Sequence, residues 1–132
     1  MAAFVFLAGC TTNPITNDQA KEVSSERLLN KSLTVKNDGD GLVIIKRDAG
    51  ARGSWCNVRV FTDGKALADL EPAEKVTVYM NAGNHVFSIQ GAGACSGGLS
   101  SVAGNVEKDK TLTFRLGLGA VGGEYGIYPD AT

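Results

Sequence analysis

The chain has 132 residues, 43% apolar and 20% charged, the composition of one globular domain rather than of a disordered segment. Its 13 basic and 14 acidic side chains are interspersed and give a formal net charge of −1, so no clustered Lys/Arg surface is present and nucleic acid is not an expected partner. No apolar run approaches the roughly 20 residues of a membrane-spanning helix, and 17 glycines beside three prolines point to many tight turns.

Met1–Gly9, MAAFVFLAG, is apolar and uncharged, and reads as a residual export signal outside the fold. No basic residue precedes it, which points to a misassigned start codon or a trimmed chain. Leu7-Ala8-Gly9-Cys10 closes the segment: an aliphatic residue, then two small ones, then cysteine. Small side chains let an extended backbone enter a peptidase site, and a thiol accepts a diacylglyceryl group as a thioether. The motif resembles the lipobox of bacterial lipoproteins. That resemblance implies cleavage before Cys10, acylation of the new amino terminus and a lipid anchor in the membrane. Acyl chains contribute about 0.8 kcal/mol per buried methylene, so several make anchoring stable. Thr11 in place of Asp implies, by the same resemblance, the outer membrane, with the periplasmic side as default.

Cys10–Thr16 is polar and contains a proline, as a tether would be. Asn17–Lys31 suits a short exposed helix capped by Asp18, with Val23, Leu28 and Leu29 as a thin apolar stripe. A spacer is the alternative reading of this segment. From Ser32 the period changes to two. Ser32–Asn37 alternates, and Asp38–Gly41 reads as a hairpin turn rather than a calcium loop, because the closing glutamate of an EF-hand is missing. Gly41–Asp48 is a dense apolar run suited to a central strand. Trp55–Asp63 alternates, the Asp63-Gly64-Lys65 turn follows, and Ala66–Pro72 is a short strand. Lys75–Asn81, His85–Gly91, a weaker stretch from Leu99, Thr111–Gly119 and Glu124–Pro129 complete the set. The expected fold is all-β: a small antiparallel β-sandwich or barrel of seven to nine short strands, with a short N-terminal helix. No βαβ alternation favours a parallel sheet. The expected organisation is a residual signal over 1–9, a lipidated tether and helix over 10–31, and a β-domain over 32–132.

With Cys10 modified, Cys56 and Cys95 remain as an even pair in an oxidising compartment. They enclose 38 residues, and a bond between them would restrict the unfolded chain by roughly 4 kcal/mol. It would pin the glycine-rich loop Gly91–Gly98, where Ala94, Ser96 and Gly97 are candidate binding positions. A metal or catalytic thiol is the competing reading. It lacks a CxxC pair, and the single histidine is the lone candidate base. Trp55 would pack over the disulfide or serve as a binding aromatic. His85 reads as structural, and Glu71 and Glu74 flank Pro72 as solvated turn carboxylates. Ser96, Ser100 and Ser101 have no nucleophile-elbow context. No catalytic residue, metal site or cofactor is assigned.

Val58–Gly91 carries Asp63-Gly64-Lys65 between strands and Ala82-Gly83-Asn84-His85 before another. This pattern resembles small bacterial envelope lipoproteins and PEGA-like surface β-domains, although Glu71-Pro72-Ala73-Glu74 stands where a PEGA core would. The resemblance implies a surface β-fold and a non-catalytic binding or structural role, with a protein or cell-wall partner. An inhibitor or phage exclusion factor acting through a disulfide-pinned Gly91–Gly98 loop is the alternative.

Overall fold

The computed structural model describes residues 12–50, 57–91, 99–118 and 125–130. Among them run nine strands: β1 (Lys21–Glu22), β2 (Asp40–Arg47), β3 (Val58–Thr62), β4 (Lys65–Leu70), β5 (Glu74–Asn81), β6 (Gly83–Gly91), β7 (Ser100–Val106), β8 (Thr111–Leu118) and β9 (Tyr125–Pro129). Two sheets form, ordered β1-β5-β2-β8-β9 and β4-β3-β6-β7. They stack as a small sandwich, and neither closes into a barrel.

Period-two patterning explains the stacking. Val76, Val78 and Met80 of β5 turn inward, as do Val58 and Val60 of β3 and Phe87 and Ile89 of β6. The Phe87 and Phe114 rings meet between the sheets, 4.7 Å apart at their centroids. Each such buried side chain contributes on the order of 1.5–3 kcal/mol. Gly104 sits under both rings, where a Cβ would lie 2.8 Å from Phe114 Cζ. The Gly41–Asp48 run is central as expected, with β2 hydrogen-bonded to β5 on one side and β8 on the other.

Several local expectations change. Although most strand pairs are antiparallel, β2–β8 and β1–β5 are parallel. No crossover helix is needed for β2–β8. After β2 the chain runs through β3–β7, mostly in the second sheet, before it returns alongside β2. The Asp63-Gly64-Lys65 turn is a hairpin, with φ 49° at Asp63 and 81° at Gly64, the positive pair that matches strand twist. Asn81–Gly83, in contrast, is a corner: β5 ends in one sheet and β6 begins in the other, with Gly83 at φ 131°.

The helix expected over Asn17–Lys31 does not form, and the segment is not a free spacer. It is a strap across two sheet edges. Val23 N–H donates to Lys75 O at 2.8 Å beside β5, and Leu29 N–H donates to Leu67 O at 2.7 Å beside β4. Unpaired edge groups demand partners, whereas the Val23/Leu28/Leu29 stripe is too thin to hold a helix. Ala20 and Val23 are buried by this docking. The strand expected over Ser32–Asn37 is instead a 3-10 helix at Lys31–Thr34 and an open stretch in which Val35 is 63% exposed. Asn37–Asp40 does turn, through a 3.1 Å bond from Asp40 N–H to Asn37 O, but it leads from the strap into β2 rather than joining two strands. The tether expected over Cys10–Thr16 is already fixed to the sandwich at Asn13, which pairs with Ala49.

The strand registers define two poles. Arg47, Val58, Leu70, Glu74 and Gly91 share the first; Asp40, Thr62, Asn81 and Gly83 share the second. The eight residues of β2 separate them by about 25 Å.

Candidate functional site

The residues singled out for anchoring, bonding or binding, namely Cys10, Trp55, Cys56, Ala94, Cys95, Ser96 and Gly97, lie outside the described residues. The described residues hold a cleft that this selection did not anticipate.

At the first pole the last two residues of β2 and the one after it are buried charges, Lys46, Arg47 and Asp48. Arg47 faces the interior and donates to Leu70 O at 2.7 Å, joining the two sheets. Lys46 Nζ lies 2.8 Å from Asp130 Oδ2. Asp48 is ion-paired with Arg115, whose guanidinium also sits 5.7 Å over the Tyr128 ring. The Thr12 hydroxyl donates to Asp48 Oδ2 at 2.6 Å. Buried charges persist only when paired, so this cluster gives the N-terminal segment a specific docking point. Gly117 leaves room for it: a Cβ there would overlap Asp48 and Thr12. The three consecutive charges closing an apolar run were the available signal in the sequence.

Glu74 departs from the solvated reading. It is buried and ion-paired with Arg27 of the strap, whose Nη2 lies 2.7 Å from Glu74 Oε2. Arg27 Nη1 also donates to Asp69 O at 3.0 Å in β4. Arg27 therefore clamps both sheets. Burial pushes the Glu74 carboxyl upward, but Arg27 and the Glu71 N–H outweigh it and hold it below the usual value. Glu71 is the more exposed partner, 3.7 Å from Arg27.

At the second pole lies a cleft of about 410 Å³. The 3-10 helix supplies Leu33 to its wall, β5 supplies Tyr79 and Asn81, the β3–β4 hairpin supplies Asp63 and Lys65, and His85 completes it. His85 is only 9% exposed. Its Nδ1 is 2.6 Å from Asp63 Oδ2 and its Nε2 is 2.7 Å from Asn81 O. Both neighbours are acceptors, so the arrangement is fully satisfied only by the doubly protonated ring. Burial pushes the His85 pKa down; the bonds to Asp63 and Asn81, with the Asp63 charge, more than offset this and raise it above 6.5. For Asp63 burial acts upward, yet the His85 bond, the Val86 N–H and the nearby cations lower the carboxyl below 3.8.

The two motifs quoted from the sequence thus meet in space: Asp63 belongs to the first and His85 to the second. With both ring nitrogens engaged, His85 has no lone pair aimed at a substrate. Among the described residues no group of three or more His, Cys, Asp or Glu side chains is arranged for a metal. Ser88 and Ser101 bond each other at 2.9 Å across β6 and β7.

Comparison of the chain with known protein families, with curated proteins and with solved structures gives no match.

Proposed function

We propose that this chain is a non-catalytic lipoprotein of the bacterial envelope, anchored through Cys10 in the outer membrane and facing the periplasm as a binding or structural module. What supports this reading is the Leu7-Ala8-Gly9-Cys10 motif, and the docking of Thr12 on Asp48 says where such an anchor would sit. Two residues of chain reach at most about 7 Å, so a lipid on Cys10 would enter the bilayer close to the first pole. The cleft at the second pole would then face away from the membrane. The engagement of both His85 nitrogens favours binding over catalysis.

A Cys56–Cys95 bond belongs to the same proposal. Val58 pairs with Gly91, so the strand residues nearest the two cysteines in sequence lie on neighbouring strands side by side. The same pairing puts Gly91 at the first pole, which would be the membrane side under this reading. The alternative, an inhibitor acting through the Gly91–Gly98 loop, turns on residues 92–98, which lie outside the described residues. The partner expected is a protein or the cell wall.

Replacing the anchor tests the reading. Wild type should sediment with membranes and require detergent for release, and Cys10→Ser should move the protein to the soluble fraction. A wild-type protein that is soluble without detergent, or a Cys10→Ser variant that stays with the membranes, would overturn it.

A further inference from the structure

We propose that the cleft at the second pole binds a neutral, N-acetylated saccharide. Its chemistry is read from the described side chains; its orientation toward the cell wall rests on the envelope reading above.

The charges in the cleft cancel. Two acids, Asp40 and Asp63, face two bases, Lys65 and His85. Asp63 is committed to His85 and to Val86 N–H, and one Asp40 oxygen accepts from Asn37 N–H at 2.9 Å. With these four groups the cleft carries no net formal charge to select an ion.

Beside the Lys65 ammonium, the unused hydrogen-bonding capacity is neutral. The Asn37 and Asn81 carboxamides and the Tyr79 hydroxyl border the cleft and have no hydrogen-bond partner among the described residues. Each can both donate and accept. A sugar hydroxyl does the same, and an acetamido group offers one N–H and one carbonyl. Leu33 and the Tyr79 ring line the same cleft. Such apolar surface matches the C–H face of a pyranose and the acetyl methyl. The volume, about 410 Å³, lies in the range of small-ligand sites.

The walls are also pre-set. Asp63 holds the β3–β4 hairpin, Asn81 ends β5, and His85 bonds both. Two sheets therefore meet at one buried ring, and the cleft does not have to be assembled by its ligand. Less ordering on binding means more of the contact energy appears as affinity.

The test is a titration of the detergent-extracted full chain with diacetylchitobiose, followed by calorimetry or protein NMR. Saturable binding is expected, with shifts confined to Asn37, Tyr79, Asn81 and their neighbours. Tyr79→Phe, which removes only the hydroxyl, should weaken binding severalfold. Asn81→Ala should weaken it about tenfold, as loss of a hydrogen bond worth about 1.4 kcal/mol would. Thermal unfolding of each variant, measured alongside, shows that the fold persists. Absence of saturable binding would overturn the proposal. So would binding indifferent to both substitutions, or displacement of the sugar by inorganic phosphate. Saccharide binding by a chain without lipid would leave this site standing and sink the anchor; a lipidated chain that ignores the sugar would do the reverse.

Discussion

Asp63 and His85 stand 22 residues apart and share a 2.6 Å hydrogen bond that ties the β3–β4 hairpin to the corner between the sheets. The same carboxylate accepts from Val86 N–H at 2.9 Å, so one side chain fixes both the imidazole and the backbone beside it. Asp63 can do this because the hairpin turn needs a positive φ at its position, which Asp tolerates better than most residues.

This pair makes stability depend on pH in a defined direction. The folded His85 pKa lies above 6.5, so its contribution is complete below that value and is lost as pH rises through the raised folded value. The folded Asp63 pKa lies below 3.8, so its contribution is present above 3.8 and is lost as pH falls through the lowered value. The two overlap fully between 3.8 and 6.5. In denaturant titrations, wild type should exceed His85→Gln by most within that window, and the gap should narrow on the alkaline side. A gap that stays constant with pH would show that the ring contributes packing alone.

The Arg27–Glu74 pair should be worth more than a surface salt bridge. Glu74 has only 7% of its side chain exposed, and Arg27 has 23%. Arg27→Ala leaves a buried carboxylate uncompensated and releases the strap from both sheets. A loss of about 2–4 kcal/mol is expected in equilibrium unfolding. Glu74→Gln keeps the shape and should cost less. A Glu74→Gln variant as stable as wild type would mean that the charge contributes nothing.

Gly117→Ala should disrupt the docking of the N-terminal segment. The added methyl would overlap both Asp48 and Thr12. A loss of about 1–3 kcal/mol is expected. Faster amide hydrogen exchange should be confined to Asn13, Ala49 and their neighbours. Unchanged exchange there would show that Thr12 is not the docking point.

The interior pair Phe87 and Phe114 should dominate the core. Phe87→Ala removes a fully buried ring between the sheets and should cost about 3–5 kcal/mol. A loss under about 1 kcal/mol would mean that the sheets do not pack through this contact.

The sheets were readable because alternation and turn residues are local. Val76, Val78 and Met80 name an inward face unaided, and Asp63-Gly64-Lys65 names a hairpin. The strap was not readable, since Val23 and Leu29 are placed by edge groups of β5 and β4 that lie more than thirty residues away. The parallel β2–β8 pair was missed for a similar reason: it depends on the route through the second sheet. Of the cleft, only the separate motifs were visible. Nothing local states that Asp63 and His85 share a proton, and the charged run Lys46-Arg47-Asp48 looks like an exposed strand end until Asp130, Arg115 and Leu70 are brought to it.

Intact-mass analysis of the protein extracted from envelope membranes tests the anchored-module reading most directly. The expected species begins at Cys10, carries a diacylglyceryl group and an amide-linked acyl chain, and lacks two hydrogens for the Cys56–Cys95 bond. A species that retains residues 1–9 with an unmodified Cys10 thiol, recovered from the soluble fraction, would contradict it.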